Sequence, residues 1–79
     1  MSTSTMPDEW INPAEEFPEE DYTLLGVDSN AFSIMGHTTK WLKKTGNPRS
    51  VLDAYQAETM GGDYDNLLAT SMRYLGMID

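Results

Sequence analysis

The chain has 79 residues, no cysteine, one histidine and a net charge of −8. That length holds one domain with a modest core; the missing thiols exclude disulfides and thiolate metal sites, and a single histidine argues against structural zinc. The negative charge argues against direct binding to nucleic-acid phosphates, which Lys and Arg drive.

The charge is unevenly placed. Residues 1–30 carry eight acids and no Lys or Arg, whereas residues 31–79 carry five acids and five bases and sum to zero. The chain therefore divides into an acidic, proline-containing arm over 1–27 and a neutral body over 28–79. In the arm, residues 1–7 are Ser/Thr-rich and expected to fray. The stretch DEWINPAEEFPEEDY, residues 8–22, holds seven acids and no apolar periodicity. Pro7, Pro13 and Pro18 break any long helix and push the residues before them toward extended geometry. One helical turn after Asn12 is compatible with Pro13 at a first helical position and with Glu15 and Glu16 behind it. Tyr22–Val27 is a brief apolar segment that ends the arm.

Helical periodicity begins near Asp28 or Ser29, either of which can cap a first turn. Ala31, Phe32, Ile34, Met35, Thr38, Thr39, Trp41 and Leu42 fill one half of the wheel; Ser33, Gly36, His37, Lys40, Lys43 and Lys44 fill the other. Lys43 and Lys44 suit the negative end of the helix dipole, and Gly46 stops the helix. Asn47-Pro48 restarts it, with Asn47 as the expected cap. Val51, Leu52 and Tyr55 form the apolar stripe of this second helix, which Gly61-Gly62 ends. Asp63 caps a third, with Tyr64, Leu67, Leu68, Met72, Tyr74 and Leu75 on one face, Asp65, Asn66, Thr70 and Arg73 outside, and Gly76 closing it. Together these features predict an all-α fold, a small three-helix domain with an extended acidic N-terminal arm.

The run Leu25-Gly-Val-Asp-Ser-Asn-Ala-Phe32, then Met35-Gly36, then Gly62-Asp-Tyr-Asp-Asn-Leu-Leu68 with Met72-Arg-Tyr74, resembles a family of small uncharacterised helical proteins of phages and prophages. In that family an Asp-Gly-Asn-Ala-Phe-like start leads a basic helix and a Gly-Asp-Tyr-Asp-like turn opens the last one. The likeness covers about residues 24–75; Ser29 stands where the pattern has glycine, and the arm lies outside it. The resemblance implies a helical phage-type domain and no particular chemistry.

The arm is the strongest functional feature. Trp10, Phe17 and Tyr22 alternate with Glu15, Glu16, Glu19, Glu20 and Asp21, and apolar anchors spaced by acids suit docking on a basic, grooved protein surface. A disordered solubilising tail is the competing reading. Phe32, Trp41, Tyr55 and Tyr74 are expected in the core, with Trp41 the first candidate for exposure at an interface. Lys40, Lys43, Lys44 and Arg49 gather near the first inter-helix turn and offer an anion site, an ordinary solvated face, or a seat for the arm itself. Asp63-Tyr64-Asp65 lacks the further acids of a calcium loop and reads as a cap. His37 has no partner for a triad and reads as exposed.

No nucleophile–base pair, metal set or phosphate-binding glycine loop is present in the sequence, so no cofactor and no enzyme activity are expected. No apolar run reaches the roughly 18 residues of a membrane span, and the first residues lack the basic-then-apolar pattern of a secretory signal; a cytoplasmic protein without membrane contact is expected. Beside a structural or virion accessory role, of which the sequence bears no specific sign, two functions remain. One is an interaction protein whose acidic-aromatic arm binds and blocks a basic site on a host or immune protein. The other is a homo-oligomeric sponge that holds a phosphate-bearing signalling nucleotide through Lys40, Lys43, Lys44 and Arg49.

Overall fold

The computed structural model describes residues 6–77 as four helices, with no strand among the described residues. The fold is all-α. The short helix α1 spans Pro13–Glu16 and follows Asn12, whose side chain accepts the Ala14 N–H at 2.9 Å. It is the single turn that Asn12-Pro13 allows. Helix α2 spans Ala31–Thr45 and is capped by Asn30, whose Oδ1 accepts the Phe32 N–H at 2.8 Å. The expected caps Asp28 and Ser29 are thereby corrected. Asp28 Oδ1 instead takes the Asn30 N–H at 3.1 Å, and this local turn delays the helix start.

Helix α3 spans Arg49–Met60 behind Pro48, with no side-chain cap. Asn47 was expected in that role, but its amide is used elsewhere. Helix α4 spans Tyr64–Leu75 behind Asp63, whose carboxylate accepts the Asn66 N–H at 2.9 Å. Helices α2 and α4 both close on a glycine in the left-handed region, Gly46 and Gly76. Asn47 N–H reaches Leu42 C=O at 3.0 Å and Met77 N–H reaches Met72 C=O at 2.9 Å, so the last turns keep their carbonyls bonded.

The central element is α4, which packs against both α2 and α3, while α2 and α3 meet each other much less. Leu42, Val51, Tyr55, Tyr74 and Leu75 are fully buried around it. The Tyr55 and Tyr74 rings meet edge to face, centroids 5.3 Å apart, a geometry worth about 0.5–1.5 kcal/mol beyond burial. The two hydroxyls are satisfied within the core. Tyr55 Oη lies 2.6 Å from Ser71 Oγ, and Tyr74 donates to Glu58 at 2.5 Å. Arg73 donates to the other Glu58 oxygen at 3.1 Å. Among the described residues, every buried side-chain polar atom has a partner.

Three placements differ from the wheel reading. Thr70 is fully buried, because a central helix flanked on several sides needs a wider buried arc than one stripe. Tyr64 is 41 % exposed at the start of α4, and Phe32 is 85 % exposed in the first turn of α2. Phe32 borders the open groove between α2 and α3, where no part of the chain covers it among the described residues.

Two predictions follow from this packing. Burial, together with the Glu58 carboxylate at Tyr74, holds the Tyr55 and Tyr74 hydroxyls above the usual tyrosine range. The unfolded chain releases those protons from about pH 10, and the folded chain keeps them. Stability is therefore fully present below that pH and falls as pH rises beyond it. Thermal melts at about pH 8 and about pH 11 are expected to show a lower Tm at the higher value, and Tyr55→Phe is expected to reduce the difference. Second, a Cβ on Gly76 would sit 1.9 Å from Asn12 Oδ1 and 2.9 Å from the Ala14 Cβ, at a φ of +81°. Asn12 cannot yield without uncapping α1. Gly76→Ala is expected to cost about 2 kcal/mol or more in urea unfolding, left-handed strain and collision together.

Candidate functional site

The arm lies folded against the body, rather than reaching out from it, along α2 and the end of α4. Its contacts are specific. Trp10 donates its indole N–H to the Tyr74 carbonyl at 3.0 Å, one of the last-turn carbonyls that a helix cannot satisfy internally. Met6 and Trp10 also pack against the buried cluster of Leu42, Val51, Tyr55 and Tyr74. Next along the arm, Ile11 pairs both backbone groups with the Asn47 side chain. Its N–H donates to Oδ1 at 2.7 Å and its C=O accepts from Nδ2 at 3.0 Å. The same Nδ2 reaches Leu42 C=O at 3.1 Å, so one buried amide joins the arm to the end of α2.

Pro13 is fully buried, and Phe17 meets Trp41 edge to face with centroids 5.5 Å apart. Lys44 closes this stack, its Nζ 4.5 Å from the Trp41 ring centre and 5.4 Å from that of Phe17. The same ammonium lies 3.5 Å from Glu20. That pair is half-exposed and contributes little alone; the cation over two rings adds about 0.5–1 kcal/mol. His37 Nε2 lies 3.1 Å from the Tyr22 carbonyl, so His37 is half-buried rather than free on a polar face. Ser50 donates to Glu9.

Met6, Trp10, Pro13 and Phe17 thus face inward, and the arm's seven carboxylates at Asp8, Glu9, Glu15, Glu16, Glu19, Glu20 and Asp21 are all exposed. Among the described residues, only Glu20 of these has an ion-pair partner. Of the side chains expected to meet a partner, Trp10, Phe17 and Tyr22 are half-buried in the chain's own contacts. Trp41, expected in the core but also the first candidate for exposure at an interface, is 6 % exposed; the arm that covers it is distant in sequence and invisible to its helical wheel.

The four cations do not form one cluster. Lys44 turns toward the arm. Lys40 and Lys43 border a groove of about 640 Å³ on the other side of α2, floored by Phe32, Met35 and Gly36, with Gln56 of α3 opposite. Arg49 stands farther along, beside Lys43, and is paired with Asp53 at 3.7 Å. The arm rests on the α2 side of His37, Trp41 and Lys44, while Phe32, Met35 and Lys43 lie on the other side and Lys40 at the boundary between the two.

Sequence reasoning missed the role of Asn47 altogether. Asn before Pro is a strong local sign of a helix start, and nothing nearby announces a backbone partner thirty-six residues away. No family model, curated protein or solved structure matches the chain. No helix among the described residues is long and apolar enough to cross a membrane.

Asn47→Ala leaves the Ile11 N–H and C=O and the Leu42 C=O without this partner. It is expected to cost about 2–3 kcal/mol in urea unfolding and to speed cleavage by a glutamate-specific protease within residues 15–20, while α2–α4 keep their helical circular dichroism. Cleavage at the wild-type rate would show that the clamp does not hold the arm.

Proposed function

We propose that this chain is a small non-enzymatic interaction protein that sets an anchored carboxylate face against a basic surface of another protein. The observation that supports it is the division of the arm's side chains. Trp10, Pro13 and Phe17 fix the arm to the body, and Glu15, Glu16, Glu19 and Asp21 point to solvent without ion-pair partners. An anchored array has lost its backbone freedom before binding, so the partner does not have to order it. Carboxylates can occupy positions that phosphates would take on Arg and Lys side chains. Like-signed charge on one face also steers encounter with a basic partner.

The recognition is carried by the acids, and the aromatics serve as the mount. Covering a basic site blocks it, so inhibition is the expected outcome. The resemblance to phage and prophage proteins supports a host or immune protein in a bacterial cytoplasm as the partner. The nucleotide-sponge alternative asks Lys40, Lys43, Lys44 and Arg49 to converge. Lys44 is instead held by Glu20 and two rings, and Arg49 by Asp53, so the geometry favours the carboxylate face.

The test is capture of binding proteins from producing cells on the immobilised full chain. The wild type is expected to retain a basic protein that elutes as salt rises from about 0.05 M to about 0.5 M, because screening shortens the reach of exposed charges. The Glu15→Gln, Glu16→Gln, Glu19→Gln triple variant is expected to retain at least tenfold less, with unchanged helical circular dichroism. Equal retention by the triple variant would sink the reading.

A further inference from the structure

The four large apolar side chains that stand exposed among the described residues are Leu25, Phe32, Met60 and Tyr64. They belong to the approach to α2, the first turn of α2, the last residue of α3 and the first of α4. These elements lie together, since Tyr64 Oη donates to the Ser29 carbonyl and a hollow beside Met35 is shared by Ala31, Thr59 and Tyr64. Exposed apolar side chains scattered singly are ordinary; gathered at one end of a small domain they mark a contact surface.

Leu25 is held out by a built turn. The Val27 N–H donates to the Leu24 carbonyl at 3.1 Å, and Gly26 has a φ of +82°. This is the pattern of a type II turn, with Leu25 at its first corner. Thr23 Oγ1 accepts the Leu25 N–H at 3.3 Å and donates to Asp21 at 3.2 Å. Leu25 is 78 % exposed at this tip, with Asp21 and Asp28 on either side along the chain.

The groove between α2 and α3 offers the complement. Its floor is Phe32, Met35 and Gly36, and its rim carries Lys40 and Lys43, neither ion-paired among the described residues. Gly36 is the telling residue. A glycine inside a helix costs about 1 kcal/mol against alanine, and a Cβ there would meet nothing within 4 Å. Nothing within the chain asks for glycine at that position, whereas close approach of another backbone does. A domain of this size without disulfides also gains from self-association.

We propose that this groove receives the Leu24–Val27 turn of a second copy of the chain. Leu25 seats over Gly36 against Phe32 and Met35, and Asp21 and Asp28 face Lys40 and Lys43. The contact shares Asp21 with the carboxylate face and does not depend on the basic partner proposed above.

Sedimentation equilibrium of the full chain from about 10 µM to about 1 mM tests it. The wild type is expected to rise above one copy in mass. Leu25→Asp, which spoils the turn, and Gly36→Trp, which fills the groove, are each expected to remain at one copy with helical circular dichroism intact. An equimolar mixture of the two variants is expected to form a one-to-one complex, since one supplies an open groove and the other an intact turn. A wild type that stays at one copy throughout, variants that assemble as well as the wild type, or a mixture that does not combine would each overturn the proposal.

Discussion

A single buried amide decides what kind of molecule this is. Asn47 offers one acceptor and two donor positions, and all are used, on Ile11 of the arm and on Leu42 at the end of α2. Were the arm held only by its acids, it would be attached by exposed ion pairs, which salt screens and which contribute little at half exposure. The hold is instead through backbone groups, an indole N–H and stacked rings, none of which needs net charge. Apart from Glu9 on Ser50 and Glu20 on Lys44, the carboxylates are therefore spared from holding the arm. The fold can keep its acidic face in salt concentrations that weaken whatever the face binds.

The helical part of this design is readable from local signals, and the reason is physical. Asp63 and the glycines at 46 and 76 act within one turn of where they sit, so a short window contains their whole effect. Asn12-Pro13 starts α1 for the same reason. What the sequence could not show is which arcs of each helix find cover. Phe32 and Trp41 lie on the same apolar half of α2, yet Phe32 is exposed and Trp41 buried. The difference is that Phe17, twenty-four positions before Trp41, lies across it. Asn47 fails for a related reason, since a capping residue and a clamp for a distant strand of backbone look alike in sequence. For the candidate site, the acids were legible as a surface feature; the inward turn of Trp10 and Phe17 was not.

The same arrangement divides the molecule electrically. The net charge of −8 comes from the first thirty residues, and the seven acids of residues 8–21 all stay at the surface. Two lysines and an apolar floor line the groove between α2 and α3. A chain whose two surfaces differ this much presents different chemistry to a basic protein and to an acidic, apolar tip. The third cation of that helix, Lys44, lies between the rings of Phe17 and Trp41 and the carboxylate of Glu20, where it serves cohesion rather than display.

The indole of Trp10 rests on a carbonyl sixty-four positions later, in the last turn of α4. During synthesis the arm leaves the ribosome first, and its seat is made last. At about 5–20 residues per second, the arm spends seconds as a bare segment carrying Trp10, Phe17 and seven carboxylates in the open. For that interval the nascent chain shows its aromatics beside its acids, whereas the finished fold shows the acids and covers much of the aromatics, and the closing of the arm over Trp41 is the step that ends it.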